Sequence, residues 1–240
     1  MSLQSGYTFE EYDKLNRQPF ANFLFSLINH RDKYRRPDTS KSYTIALDAV
    51  YGSGKTRFLQ MFQKMVEKTN QYSIIYYGAW EHDLYDDALS PILALLDTPA
   101  AFSEEAYKRM EQSLGMRALR ILKKVGVSLL STKAKKHLGE DYNELIDDIK
   151  ELFSEPESQP DAYDIRTKCI AEMQRALSSF TKEKPLIFVI DDLDRCNPSF
   201  AIKTLEVVKH LLDIENAIYI FALDMRQMRA AIKKFYGQEI

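Results

Sequence analysis

The chain has 240 residues, enough for one large α/β domain or two small ones with a sizeable core. Its 33 basic and 35 acidic residues leave a net charge of −2, which excludes bulk electrostatic attraction to nucleic acid or anionic membranes and leaves room only for a local basic patch. Two cysteines, Cys169 and Cys196, are too few for a disulfide framework or a zinc cluster; with no basic-then-apolar leader, and a longest charge-free run (Gln18 to His30) shorter than a membrane span, a cytoplasmic protein is expected.

Thr8 with Glu11 three residues on resembles a capping box, and Tyr12, Leu15, Phe20, Phe23, Leu24 and Ile28 then recur at helical spacing. Residues 1–40 therefore read as an N-terminal helical segment, broken near Pro19, and residues 41–240 as a core. Ser42 to Val50 reads as a first buried strand, Gly54 to Glu67 as a helix and Gln71 to Gly78 as a second strand. Residues 86–160 are helical and polar, an insertion that closes in the linker-like run Ser154 to Pro160. Within it, Met116 to Leu130 interleaves apolar and basic residues. This is either a helix packed on the core with a solvated basic face, or a surface for anionic lipid or a partner. A helix from Asp161 to Phe180 precedes a fully apolar strand, Pro185 to Ile190. Asn197 then caps a helix that has Pro198 at its first position and runs to about Asp213. Asn216 to Asp224 is a fourth strand, followed by a last helix to Phe235. Strands separated by helices imply an α/β three-layer sandwich around a parallel sheet.

Two motifs carry chemistry. In Ala49-Val50-Tyr51-Gly52-Ser53-Gly54-Lys55-Thr56, glycines allow successive backbone N–H groups to converge on phosphate oxygens, a lysine neutralises them, and a hydroxyl holds magnesium. Gly52, Ser53, Gly54, Lys55, Thr56 and the adjoining Arg57 are the candidate nucleotide-binding residues. Ala49 stands where the usual pattern has glycine, which requires negative φ there. Downstream, Asp191-Asp192-Leu193-Asp194-Arg195 follows the apolar strand, so its acids arrive at a strand's C-terminal end, where α/β folds bind ligands. Asp191 is the candidate magnesium partner with Thr56, and Asp192 the residue that polarises an attacking water. Asp194 and Arg195 form a local ion pair, or Arg195 meets a γ-phosphate in its own or a neighbouring subunit. Asp224, ending the fourth strand, is a sensor of the γ-phosphate, a helix N-cap, or both. Asp192, Lys55 and Asp224 make up the candidate catalytic set.

The phosphate loop, Asp-Asp-Leu-Asp-Arg-Cys at 191–196, the aromatic strand ending Gly78-Ala79-Trp80, and Ala222-Leu223-Asp224 with Arg226 together resemble the KAP family of P-loop NTPases. The resemblance implies strand order 5-1-4-3-2, with an extra strand between the phosphate-loop and acidic strands; strand five and a helical lid would lie beyond Tyr236, outside this chain. It also implies ATP and Mg2+, and often a bacterial origin. Many members carry transmembrane helices in the insertion; none is readable here, so at most a membrane-surface contact is expected. Members usually have asparagine where this chain has Gly78. In that order the second strand ends about 14 Å from the phosphate loop, at roughly 4.8 Å per strand, so Trp80 is expected in core or insertion packing. His82 is expected at the surface and outside any metal site.

The sequence thus points to a magnesium-dependent ATPase that couples hydrolysis to conformational or assembly change, with an unidentified protein partner, homo-oligomers allowed and no clear nucleic-acid binding. No Asn-Lys-x-Asp run argues for GTP. Two alternatives stay open: a nucleotide-gated switch or scaffold with little turnover, and a small-molecule phosphotransferase. The surface around Arg17 to Phe23 is the candidate adenine contact.

Overall fold

A computed structural model describes residues 6–34, 41–84, 87–98, 107–108, 113–125 and 162–237. In chain order the elements are α1 (Phe9–Tyr12), α2 (Gln18–Asn29), β1 (Tyr43–Asp48), α3 (Lys55–Thr69), β2 (Ser73–Gly78), α4 (Leu89–Leu96), α5 (Leu114–Val125), α6 (Ala162–Glu183), β3 (Leu186–Asp191), α7 (Pro198–Leu211), β4 (Ala217–Leu223) and α8 (Met225–Tyr236). Among the described residues, 3-10 turns also occur at Arg31–Lys33, Ala79–His82 and Leu193–Arg195.

The four strands form one parallel sheet in the order β1-β4-β3-β2, an α/β P-loop arrangement in which β4 lies between the phosphate-loop strand and the acidic strand. Every residue of β3 and β4 is buried, as their unbroken apolar runs require of strands covered on both faces. The register aligns Leu47, Ala222, Asp191 and Gly78 in one row. All four strands therefore release their C-terminal loops at the same edge of the sheet.

Three expectations change. β1 is not a fully buried strand: it lies at the end of the described sheet, pairs with β4 alone, and alternates half-buried with exposed residues. Its Tyr43, Ile45 and Leu47 pack against the core. The N-terminal helix breaks earlier than Pro19, at residues 13–17, because Pro19 sits in the first turn of α2, where its missing N–H costs nothing. The Thr8 side chain makes no capping bond to α1.

By chain contacts the molecule divides into two compact units, residues 1–84, 181–202 and 215–240, and residues 85–180 and 203–214. In the first, Ala21, Leu24 and Ile28 of α2 and Phe58, Leu59, Phe62 and Val66 of α3 share a core with Ile187, Val189, Ile218 and Ile220 of the sheet. Each such aliphatic or aromatic side chain contributes about 2 kcal/mol relative to exposure. In the second unit, α4 packs on α5, which buries Met116, Ala118, Leu119, Ile121 and Leu122, so this part of the basic amphipathic run is packed; its residues 126–130 lie outside the described residues. The basic run Lys133, Lys135 and Lys136 and the linker Ser154 to Pro160 lie outside the described residues.

Gly115 at the start of α5 meets α6 so closely that an added Cβ would fall 2.1 Å from the Ala176 Cβ and 2.9 Å from the Glu172 carbonyl oxygen. Gly115→Ala should lower unfolding stability by about 1–3 kcal/mol, read from denaturant melts, because the backbone opposite has nowhere to yield.

Candidate functional site

The site is built from three strand ends of the first unit. Beyond Asp48 the Ala49 N–H still donates to the Leu223 carbonyl (3.2 Å), which carries the β1–β4 ladder one residue into the loop. The Ser53 N–H closes a turn onto the Val50 carbonyl (3.2 Å). Positive φ in this loop is confined to Gly52 (79°) and Gly54 (85°), so Ala49 opens it with ordinary backbone and the glycines stand where only glycine is unstrained. Gly54 caps α3, whose first intrahelical bond runs from the Phe58 N–H to the Gly54 carbonyl (3.0 Å). The N–H groups of the first turn are thereby left for an anion, reinforced by the helix dipole. Lys55 folds back over the loop, its Nζ 2.6 Å from the Ala49 carbonyl. The Ser53 Oγ is buried with no hydrogen-bond partner among the described residues, an unused donor inside the cradle.

Across the sheet, Asp191 is fully buried and both of its carboxylate oxygens are met. The Tyr76 hydroxyl of β2 donates to Oδ2 and the Asp192 N–H donates to Oδ1 (2.9 Å), with the Thr56 hydroxyl of α3 close enough to act on the same carboxyl. Burial pushes the Asp191 carboxyl above the usual range, while the Tyr76 and Thr56 bonds oppose that shift. Burial, then the carboxylate beside it, also drives the Tyr76 phenol upward, so it stays a proton donor. Tyr76 went unnoticed in the sequence. Its signal was a tyrosine two residues before the end of the strand that precedes Ala79-Trp80, useful only once β2 is known to neighbour β3.

Asp192 adopts left-handed backbone (φ 60°) and turns the chain into the 3-10 turn at 193–195. Arg195 pairs there with Asp192 at 3.2 Å, not with Asp194. The spacing explains the correction: residues three apart eclipse in a 3-10 turn, whereas sequence neighbours point apart. One Asp194 oxygen is buried without a hydrogen bond among the described residues. The Arg195 guanidinium lies over the Trp80 ring at 3.9 Å and 5.5 Å from the Tyr51 ring. Trp80 is accordingly half exposed rather than core-packed, and Arg195 links it to the phosphate loop. His82 stacks on Tyr77, and no cluster of three His, Cys, Asp or Glu exists among the described residues.

Asp224 caps α8, accepting from the Arg226 N–H (3.0 Å), and Arg226 pairs with it at 3.1 Å, which holds its carboxyl below the usual range. Its neighbour Asp48 accepts from the Met225 N–H (3.0 Å). Arg57 lies over the Tyr7 ring at 3.3 Å, while Arg17 of the N-terminal segment donates to the Ser53 carbonyl at 2.6 Å. Burial holds the Cys196 thiol, beside the acid turn, up at about 12, so it stays protonated and inert.

Residues 17–240 match the model of the KAP family P-loop domain. The chain belongs to the KAP family of P-loop domains. No curated protein matches it. For a KAP domain the donor set suits magnesium: one hydroxyl, Thr56, and one carboxylate, Asp191, meet beside an anion cradle, and a small hard cation that keeps its waters and takes phosphate oxygens needs few protein ligands. Among the described residues no helix is long and apolar enough to cross a membrane.

Tyr76→Phe should lower stability by about 1–3 kcal/mol in denaturant melts, since it withdraws a donor from a fully buried carboxylate.

Proposed function

We propose that this KAP domain binds ATP with magnesium and hydrolyses it, coupling turnover to a conformational or assembly change. The observation that carries the reading is the closeness of Thr56, on the phosphate-loop helix, to the buried Asp191, on the acidic strand. It joins the two halves that phosphoryl chemistry needs. Magnesium, when bound, would neutralise phosphate charge and polarise the terminal phosphoryl group. Thr56 and Asp191 would hold it, Gly52, Ser53 and Gly54 would offer backbone N–H groups to the phosphates, and Lys55 would exchange the Ala49 carbonyl for a phosphate oxygen. Arg57 supports the same end of α3. Asp192 would orient the attacking water, and Asp224, on the strand between the two motifs, would report its state through Arg226.

A second reading, a nucleotide-gated switch with slow turnover, is favoured by the Asp192–Arg195 pair. A carboxylate oxygen held by a guanidinium is occupied and not free to orient a water. Release of Arg195, itself stacked on the half-exposed Trp80, would then set the rate, and a partner touching Trp80 could supply that release.

Steady-state ATPase assays with magnesium test both. Asp192→Asn should cut turnover by roughly a hundred-fold or more with ATP binding retained, and Lys55→Ala should weaken binding strongly. Turnover indifferent to both substitutions would sink the proposal. Arg195→Ala should raise basal turnover several-fold if the pair restrains Asp192; a fall instead would assign Arg195 to the γ-phosphate.

A further inference from the structure

Beside the first two turns of α3 lies a cavity of about 390 Å³, within the size range of small-molecule sites. One side is the α3 face carrying Gly54, Arg57 and Met61, positions three and four apart that share one stripe of the helix. The other side is the N-terminal segment, which contributes Tyr7, Tyr12 and Leu15. Gly54 belongs to the phosphate loop, so the cavity opens directly onto the residue before Lys55.

The wall is braced against the loop. Asp13 accepts the backbone N–H groups of Arg17 and Gln18, each at 2.8 Å, and Arg17 in turn donates to the Ser53 carbonyl. Tyr7 and Tyr12 meet edge to face at 4.9 Å, and the Arg57 guanidinium carbon lies over the Tyr7 ring at 3.3 Å. Tyr12 and Leu15 nevertheless remain 44% and 66% exposed, large apolar surfaces left open beside a loop built for an anion. Aromatic and guanidinium planes flanked by Leu15 and Met61 suit a flat, uncharged heterocycle and supply stacking in place of a hydrogen-bond code.

We propose that this cavity receives the base of the nucleotide, clamped between residues 7–15 and the α3 stripe at Arg57 and Met61. The proposal rests on the reading that the loop holds the phosphates. Residues 7–15 precede the family match, which begins at residue 17.

Calorimetric titration of the whole chain with ATP and with inorganic tripolyphosphate, both with magnesium, separates base from phosphate. Tyr12→Ala and Leu15→Ala, at exposed positions, should each weaken ATP by roughly ten-fold and leave tripolyphosphate unchanged. Lys55→Ala should weaken both ligands. ATP affinity unaltered by Tyr12→Ala and Leu15→Ala would overturn the clamp while leaving the phosphate reading intact, as would equal losses for the two ligands. Failure of the unaltered protein to bind either ligand would overturn both.

Discussion

A fully buried carboxylate is expensive unless its oxygens are met, and both oxygens of Asp191 are met. Tyr76 donates from the neighbouring strand and the Asp192 N–H from the next residue along, with Thr56 of the helix after the phosphate loop close by. The rest of the site depends on that convergence. The register of β2 on β3 places Tyr76, and the crossover that brings α3 onto the sheet places Thr56. The sheet order leaves β4 and Asp224 between the two motifs. Moving any one of these elements would leave a charge unpaired in the interior.

From this anchor the polar groups divide into a rigid part and an adjustable part. Asp191, Thr56 and Tyr76 are fixed by packing. Asp192, one residue on, leaves the strand in left-handed backbone and is only partly buried, paired with an arginine that rests on an exposed-edged tryptophan. Such partly exposed ion pairs are worth about 0–1 kcal/mol, so little energy is required to part them. A residue proposed to orient water is thus held by an interaction weak enough to serve as a control point.

The fold was legible where apolar runs were unbroken. β3 and β4, buried on both faces, and the glycine loop between a strand and a helix could be read directly, and Asn197 caps α7 by accepting from the Ser199 N–H as its position before Pro198 implied. β1 was misjudged because a run of β-branched and aromatic residues looks the same at a half-covered edge as in the middle of a sheet. Tyr76, the Arg17–Ser53 bond and the Arg195–Trp80 contact escaped notice for a different reason. Each depends on which strand or segment lies beside which, information that spacing along one element does not contain. The choice of Asp192 over Asp194 as partner for Arg195 rested on a 3-10 turn that no local signal announces.

The claim that Thr56 and Asp191 form one metal-and-phosphate site is most directly tested by equilibrium titration with labelled ATP in magnesium and in excess chelator, on the unaltered chain and on Asp191→Asn. The account predicts saturable binding that magnesium tightens in the unaltered chain, with the magnesium effect lost in Asp191→Asn. ATP binding equally tight with and without magnesium, or a magnesium effect that survives the substitution, would contradict it.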